Sequence, residues 1–154
     1  MADDDRFYFR QLLAGLDIAE HDQMARQMVN FVYLIGDREK GEAVVVDPAY
    51  GVKDILGVLD EDDMTLVGAL ATHYHPDHVG GDMMGMQIAG VRELLAIRPV
   101  PIHVQTEESE WVQRVTGVSD TDLVQHVSGD HVMVGDIPIE LIHTPGHTPG
   151  SQCF

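Results

Sequence analysis

Six consecutive positions, His73-Tyr74-His75-Pro76-Asp77-His78, hold three imidazoles and one carboxylate. They follow Leu66 to Ala71, an apolar run that reads as a buried strand. Zinc and other first-row divalent ions take imidazole and carboxylate donors in open sites, where water keeps one coordination position. In an extended backbone residues i and i+2 project to the same side, so His73 and His75 can converge on one ion. Pro76 fixes its own φ and disfavours helix at His75, as expected of a chain that leaves a strand and turns. Asp77 and His78 are then displaced from the first pair, which suits two neighbouring metal positions better than one four-ligand cage.

A distant element, His143-Thr144-Pro145-Gly146-His147-Thr148-Pro149-Gly150, supplies a further imidazole. Pro145 and Gly146 occupy the central positions of a predicted type II turn, which would hold His147 in one direction. His73, His75 and His147 with one water make a tetrahedral open site. Such a site lowers the pKa of its water to about 7 and makes hydroxide available at neutral pH. His143 either supports these ligands or simply packs. His21, His103, His126 and His131 belong to no motif and read as ordinary surface or core histidines.

The elements that must position these groups are legible around them. Phe7 to Leu13 and Met28 to Ile35 read as strands, and 36–41 as a turn. Ala43-Val44-Val45-Val46 is a strand buried on both faces, ended by Asp47-Pro48. Together they predict an antiparallel pair opening the domain. Val52, Ile55, Leu56 and Leu59 form an amphipathic helical stripe. A second helix around Val91, Leu94 and Leu95 stops before Pro99, and Ile102 to Val104 is a short strand. Thr106 would cap a third helix, with Glu107 and Glu108 in its first turn and Trp111, Val112, Val115 and Val118 as its packing stripe. Short strands follow at 123–127, 131–134 and 137–142, and another begins at Ser151. The segment 82–90, rich in Met and Gly, is predicted to be a flexible loop. Its Met83, Met84 and Met86 read as core filler in preference to a substrate mouth. Asp60-Glu61-Asp62-Asp63 reads as a solvated acidic loop.

A chain of 154 residues is expected to form one domain, 1–154. Its 26 acids against 9 bases give a net charge of −17, which disfavours nucleic acid and anionic membranes as partners. The start, Met1-Ala2-Asp3-Asp4-Asp5, lacks the basic and apolar regions of a secretion signal. No apolar run approaches the roughly 20 residues needed to span a bilayer. Cys153 is the single cysteine and is expected to be a buried structural thiol. A cytoplasmic setting fits these features.

The two histidine elements resemble those of the metallo-β-lactamase superfamily. The resemblance rests on His73-x-His75-x-Asp77-His78 after a strand, on Thr144-Pro145-Gly146-His147-Thr148-Pro149-Gly150-Ser151, on Tyr33-Leu34-Ile35-Gly36 and on Val44 to Pro48. It covers nearly the whole chain and implies an α+β fold of the αββα sandwich type. It also implies that His73, His75 and His147 hold a first metal, while Asp77 and His78 belong to a second. Members of the family continue to an aspartate bridging both metals and to a last histidine, neither of which occurs up to Phe154. The sandwich is therefore expected to be incomplete, comprising the N-terminal half plus the start of the second. An apolar sheet face would be left for a second copy or a completing chain.

The resemblance implies a metal-dependent hydrolase in which zinc-bound hydroxide attacks a small acyl substrate, a thioester of the glyoxalase II type being the nearest match. One or two zinc ions are expected, with Asp77 as the base that orients water if the second position is empty. Two alternatives remain: an iron(II)-dependent persulfide dioxygenase of the same fold, and an inactive module that only binds metal or a partner.

Overall fold

The computed structural model describes residues 5–154. Met1 to Asp4 of the acidic start, where the sequence predicts no secretion signal, lie outside the described residues. Strand β1 (Phe7–Leu13) is followed by helix α1 (Gln23–Met28) and strands β2 (Phe31–Asp37) and β3 (Glu42–Val46). Helix α2 (Val52–Glu61), strand β4 (Thr65–Leu70) and the one-turn helix α3 (Pro76–Val79) lead to the hairpin β5 (Gly81–Met83) and β6 (Met86–Ile88). Then come helix α4 (Val91–Ile97), strand β7 (Ile102–Gln105), helix α5 (Ser109–Thr116) and strand β8 (Leu123–His126). The hairpin β9 (His131–Val134) and β10 (Ile137–Glu140) precedes the short pair β11 (Ile142–His143) and β12 (Gln152–Cys153).

Six strands form one mixed sheet in the order β1-β2-β3-β4-β7-β8. β1, β2 and β3 pair antiparallel, as the opening residues predict, while β3, β4, β7 and β8 run parallel. Alternation along β3 divides the core. Ala43 and Val45 face the helices, packing with Ile55, Leu59, Val91, Leu94 and Val112. Val44 and Val46 face the other way, against Val132, Val134, Ile139 and Leu141 of the β9–β10 hairpin. Each such aliphatic side chain contributes about 1.5–3 kcal/mol when fully buried. The hairpin's own turn is pinned by the buried carboxylate of Asp37, which accepts the Asp136 N–H at 2.9 Å and the Arg6 guanidinium at 2.7 and 3.0 Å. The hairpin covers only the middle of that face. Phe7, Phe9 and Phe31 on β1 and β2 are 48%, 48% and 43% exposed and form a row with Tyr33.

Several expectations are corrected. Residues 23–28 are helical because Asp22 caps their first turn, so β2 begins at Phe31 and not at Met28. The 82–90 segment is a hairpin, not an irregular loop, and Met84 and Met86 at its tip are 91% and 49% exposed. Of its three methionines only Met83 packs on the core. In the acidic run, Asp60 and Glu61 finish α2, and Asp62 accepts the Tyr8 hydroxyl at 2.7 Å and Arg10 Nε at 2.8 Å. Residues 106–108 form a 3₁₀ turn, and α5 starts only at Ser109. Trp111 is 38% exposed and leaves the packing to Val112, Val115 and Val118. Cys153 is exposed because alternation in β12 turns Gln152 inward, where its Nε2 donates to the Ala71 carbonyl at 2.8 Å.

Candidate metal centre

The parallel strands β3 and β4 end at one edge of the sheet, and the chemistry-bearing residues collect there. Edges formed by the carboxyl ends of parallel strands commonly host sites, because loops leaving adjacent strands meet there. Asp47 leaves β3 with a left-handed φ of +54°, a conformation that aspartate tolerates better than most residues. Its carboxylate accepts the Thr72 N–H at 2.8 Å, the Thr72 hydroxyl at 2.6 Å and His78 Nδ1 at 2.8 Å. The loop after β4 is thereby fixed to the loop after β3.

The hydroxyl of Thr72 is also 2.9 Å from His73 Nδ1. A hydroxyl has one proton. Donated to Asp47, that proton leaves the oxygen to accept from His73 Nδ1–H. The lone pair of His73 then resides on Nε2, which is buried and has no hydrogen-bond partner. A buried nitrogen lone pair without a donor is costly unless something else coordinates it. Burial, and then the charge on His78, lower the His73 pKa to about 4, so the ring is neutral at pH 7.

His75 and His147 complete a triangle around that atom. Ring centroids are 4.8 Å apart for His73–His75, 4.8 Å for His73–His147 and 4.7 Å for His75–His147. One nitrogen from each of the three falls within 4.8 Å of the others. His147 Nε2 is 3.1 Å from His75 Nδ1. Two nitrogens bound to a tetrahedral zinc lie roughly 3.3 Å apart, close to the spacing of this pair. Burial, and then the His147 charge, push His75 below its ordinary value. The donor set fits a divalent metal.

Asp77 and His78 lie on α3; the His78 ring is 4.2 Å from that of His73, and Asp77 joins neither group of converging ligand atoms. Asp47, His73 and His78 form a second group of potential ligands within 4.8 Å. Burial alone would push His78 down, but its bond to Asp47 and the charges of Asp47 and Asp77 outweigh this and leave it above its ordinary value. Asp77 Oδ2 is 3.4 Å from His78 Nε2 and accepts the Asn30 amide at 2.8 Å. His143 Nε2 is 2.9 Å from the Pro149 carbonyl, which braces the loop carrying His147. The predicted turn at 144–147 is shifted. Gly146 has φ +153°, outside the type II range, and the closed turn is Thr148–Ser151, where the Ser151 N–H donates to the Thr148 carbonyl at 3.4 Å.

Asp47, Thr72, Asn30 and Glu108 escaped sequence reasoning. For Asp47 a signal existed: a carboxylate ending the fully apolar strand Val44-Val45-Val46, at the edge where the histidine strand also ends. Asn30 and Glu108 carry none, since each acts across a long sequence separation. Glu108 was read as a helix-dipole acid, yet it is 1% exposed.

A mixed sheet with three imidazoles converging near its strand ends is an arrangement that could hold a metal ion between loops. The family model of the metallo-beta-lactamase superfamily matches residues 25–154. The chain belongs to that superfamily. It is 36% identical over 119 residues to a hydroxyacylglutathione hydrolase of Hahella chejuensis, covering 77% of this chain and 38% of that protein. It is 31% identical over 125 residues to the probable polyketide biosynthesis zinc-dependent hydrolase BaeB of Bacillus velezensis, covering 81% of this chain and 50% of that protein. Among solved structures it is similar to ETHE1 from Myxococcus xanthus, with TM-score 0.67 and 26% identity over 94% of this chain and 52% of that one. A Staphylococcus aureus metallo-beta-lactamase, at 24% identity and TM-score 0.67, covers 96% of this chain and 37% of its own, and shows the shared fold. The chain thus spans 38% and 50% of these two curated relatives. Among the described residues no helix is long and apolar enough to cross a membrane.

Proposed function

We propose that this chain carries the metal-binding part of a zinc-dependent hydrolase acting on a thioester or related small acyl substrate, of the glyoxalase II type. The observation that carries the reading is the His73, His75 and His147 triangle around a buried, unpartnered His73 Nε2. Its similarity to a hydroxyacylglutathione hydrolase and to a probable zinc-dependent hydrolase supports the same chemistry.

His73, His75 and His147 would hold the first ion. A divalent ion there supplies Lewis acidity, lowering the pKa of water toward about 7 and polarising a carbonyl oxygen. Asp47 and Thr72 keep His73 in the tautomer that offers Nε2. Asn30 holds Asp77 through Oδ2, and Oδ1 is bonded to no described residue, so Asp77 can take a proton from water entering the site. His78, donating from Nδ1 to Asp47, keeps Nε2 free for a second ion beside Asp77. A single substrate-ready position needs only the first three imidazoles.

The test is a panel of acyl thioesters and lactones assayed with added zinc. Turnover that disappears in His75→Ala is expected. A well-folded, zinc-loaded wild-type chain that turns over none of the panel would defeat the hydrolase reading in favour of a module that only binds.

A further inference from the structure

Glu108 belongs to none of the metal motifs, yet its carboxylate touches both loops that carry the histidines. Oε1 accepts the Tyr74 N–H at 2.7 Å and the Thr148 hydroxyl at 2.7 Å, and Oε2 accepts the Gly150 N–H at 2.7 Å. Tyr74 lies between His73 and His75, Thr148 directly follows His147, and Gly150 stands three positions after it. Among the described residues no cation pairs with Glu108, so three short charge-assisted bonds carry the whole compensation for burying it. The contact is also close in shape: a Cβ on Gly150 would lie 2.5 Å from Glu108 Cβ and 2.7 Å from Oε2.

We propose that Glu108 is a positioning residue that sets the spacing of the two histidine loops and thereby the affinity of the three-imidazole site for a divalent ion. The inference rests on the metal-site reading above. Attachment of the second loop to the sheet does not depend on Glu108, because the Gln152 N–H donates to the Thr72 carbonyl at 2.9 Å and its Nε2 to Ala71 at 2.8 Å. What Glu108 adds is a fixed relation between the backbone at 74 and the turn at 148–150. A buried carboxylate left short of donors costs free energy, so displacement of either loop is opposed by the same group.

Two variants of the full chain test this. Glu108→Gln keeps the side chain's size but sets an amide among three donors. Thr148→Val removes one donor without changing charge. Zinc affinity is measured by chelator competition, and site geometry by the visible absorption of the cobalt(II) form. Glu108→Gln is expected to weaken zinc binding about tenfold or more, the effect usual for groups that orient metal ligands. Thr148→Val should weaken it less, with altered cobalt bands in both variants; taking one donor from the buried carboxylate should also lower the melting temperature of metal-free Thr148→Val. Wild-type zinc affinity and an unchanged cobalt spectrum in Thr148→Val would overturn the proposal, even with weakened binding in Glu108→Gln, since the lost charge alone would then explain that. If Glu108→Gln does not fold, Thr148→Val decides by itself. A wild-type chain that binds no zinc would remove the metal reading itself; wild-type binding with insensitive variants would remove only this inference.

Discussion

His147 Nε2 lies 3.1 Å from His75 Nδ1 across 72 positions of sequence, with neither nitrogen bound to backbone. Two nitrogens that close share one proton in the metal-free protein or one cation in the loaded form. Replacing either ring by alanine leaves two donors for the first ion. His75→Ala and His147→Ala should each lower zinc affinity by at least a hundredfold. Isothermal titration of the metal-free chain measures this, and retained stoichiometric tight binding in both would exclude the triangle as the site.

Acid should destabilise the metal-free protein, and the sign follows from two buried imidazoles. Burial, with the His78 charge, lowers His73 to about 4; burial, with the His126 charge, lowers His103 to about 4. Unfolding returns both to about 6.5, so below that value the unfolded chain binds more protons. Their stabilising contribution is complete above pH 6.5 and is lost as pH falls toward 4, on the order of 2 kcal/mol each. His78 is raised and works the other way, its contribution fading as pH rises through its folded value. Melting temperatures of metal-free protein should therefore fall between pH 7 and pH 4.5, and the fall should be shallower in His103→Gln. A flat profile would contradict the assignment of buried neutral rings.

Asp77 is held by Asn30, and that bond should matter more to turnover than to substrate binding. Asn30→Ala removes the donor to Oδ2 and frees the carboxylate to rotate. A ten- to a hundredfold lower kcat with little change in KM is expected, part of the roughly 10²–10⁴-fold that a positioned general base contributes. Steady-state kinetics on the best thioester substrate would show it. An unchanged kcat would place Asp77 outside the proton-handling machinery.

How much of this was legible in the sequence follows from what each residue contacts. His73 and His75 were visible because side chains at i and i+2 of an extended segment converge locally; His147 was visible as an imidazole in a Pro- and Gly-flanked loop, although the turn there is not the type II turn those residues predict. The split of β3 between two cores was visible in the unbroken run Ala43 to Val46. Asn30 and Glu108 were not, because nothing near them in sequence distinguishes a buried hydrogen-bonding group from a surface acid or amide; Asp47 was marked only by its place at the end of the apolar run Val44 to Val46. Glu108 stands beside Glu107 and Glu110, and only the fold sends it inward, to Tyr74 and Gly150. The Cys153 error has a local cause: an apolar run of two residues in a short strand must still alternate, and polar Gln152 won the inner face through the Ala71 carbonyl.

The metal itself can be determined directly. Three imidazoles with an open position suit zinc, and iron(II) is the ion that the alternative dioxygenase chemistry requires. Protein purified without oxygen and without added metal should contain zinc and no stoichiometric iron by plasma emission analysis. Stoichiometric iron, with oxygen consumed in the presence of a thiol persulfide, would replace the hydrolase reading.

The row Phe7, Phe9, Phe31 and Tyr33 predicts the behaviour of this chain in solution. The three phenylalanines are 43–48% exposed, with Phe7–Phe9 centroids 6.3 Å apart and Phe9–Tyr33 5.8 Å apart. Phe7 and Phe9 sit on β1, an edge strand of the sheet, and Phe31 and Tyr33 on the adjacent β2, so the apolar row adjoins an open strand edge. Contiguous exposed aromatics beside an unpaired edge favour association with a second copy. The net charge of −17 opposes that contact at low salt and is screened as salt rises. Light scattering should therefore show a mass that grows with protein concentration and with ionic strength, and Phe9→Ser should reduce it. A monomer that persists to millimolar concentration at high salt would mean that the row is not an association surface for this chain.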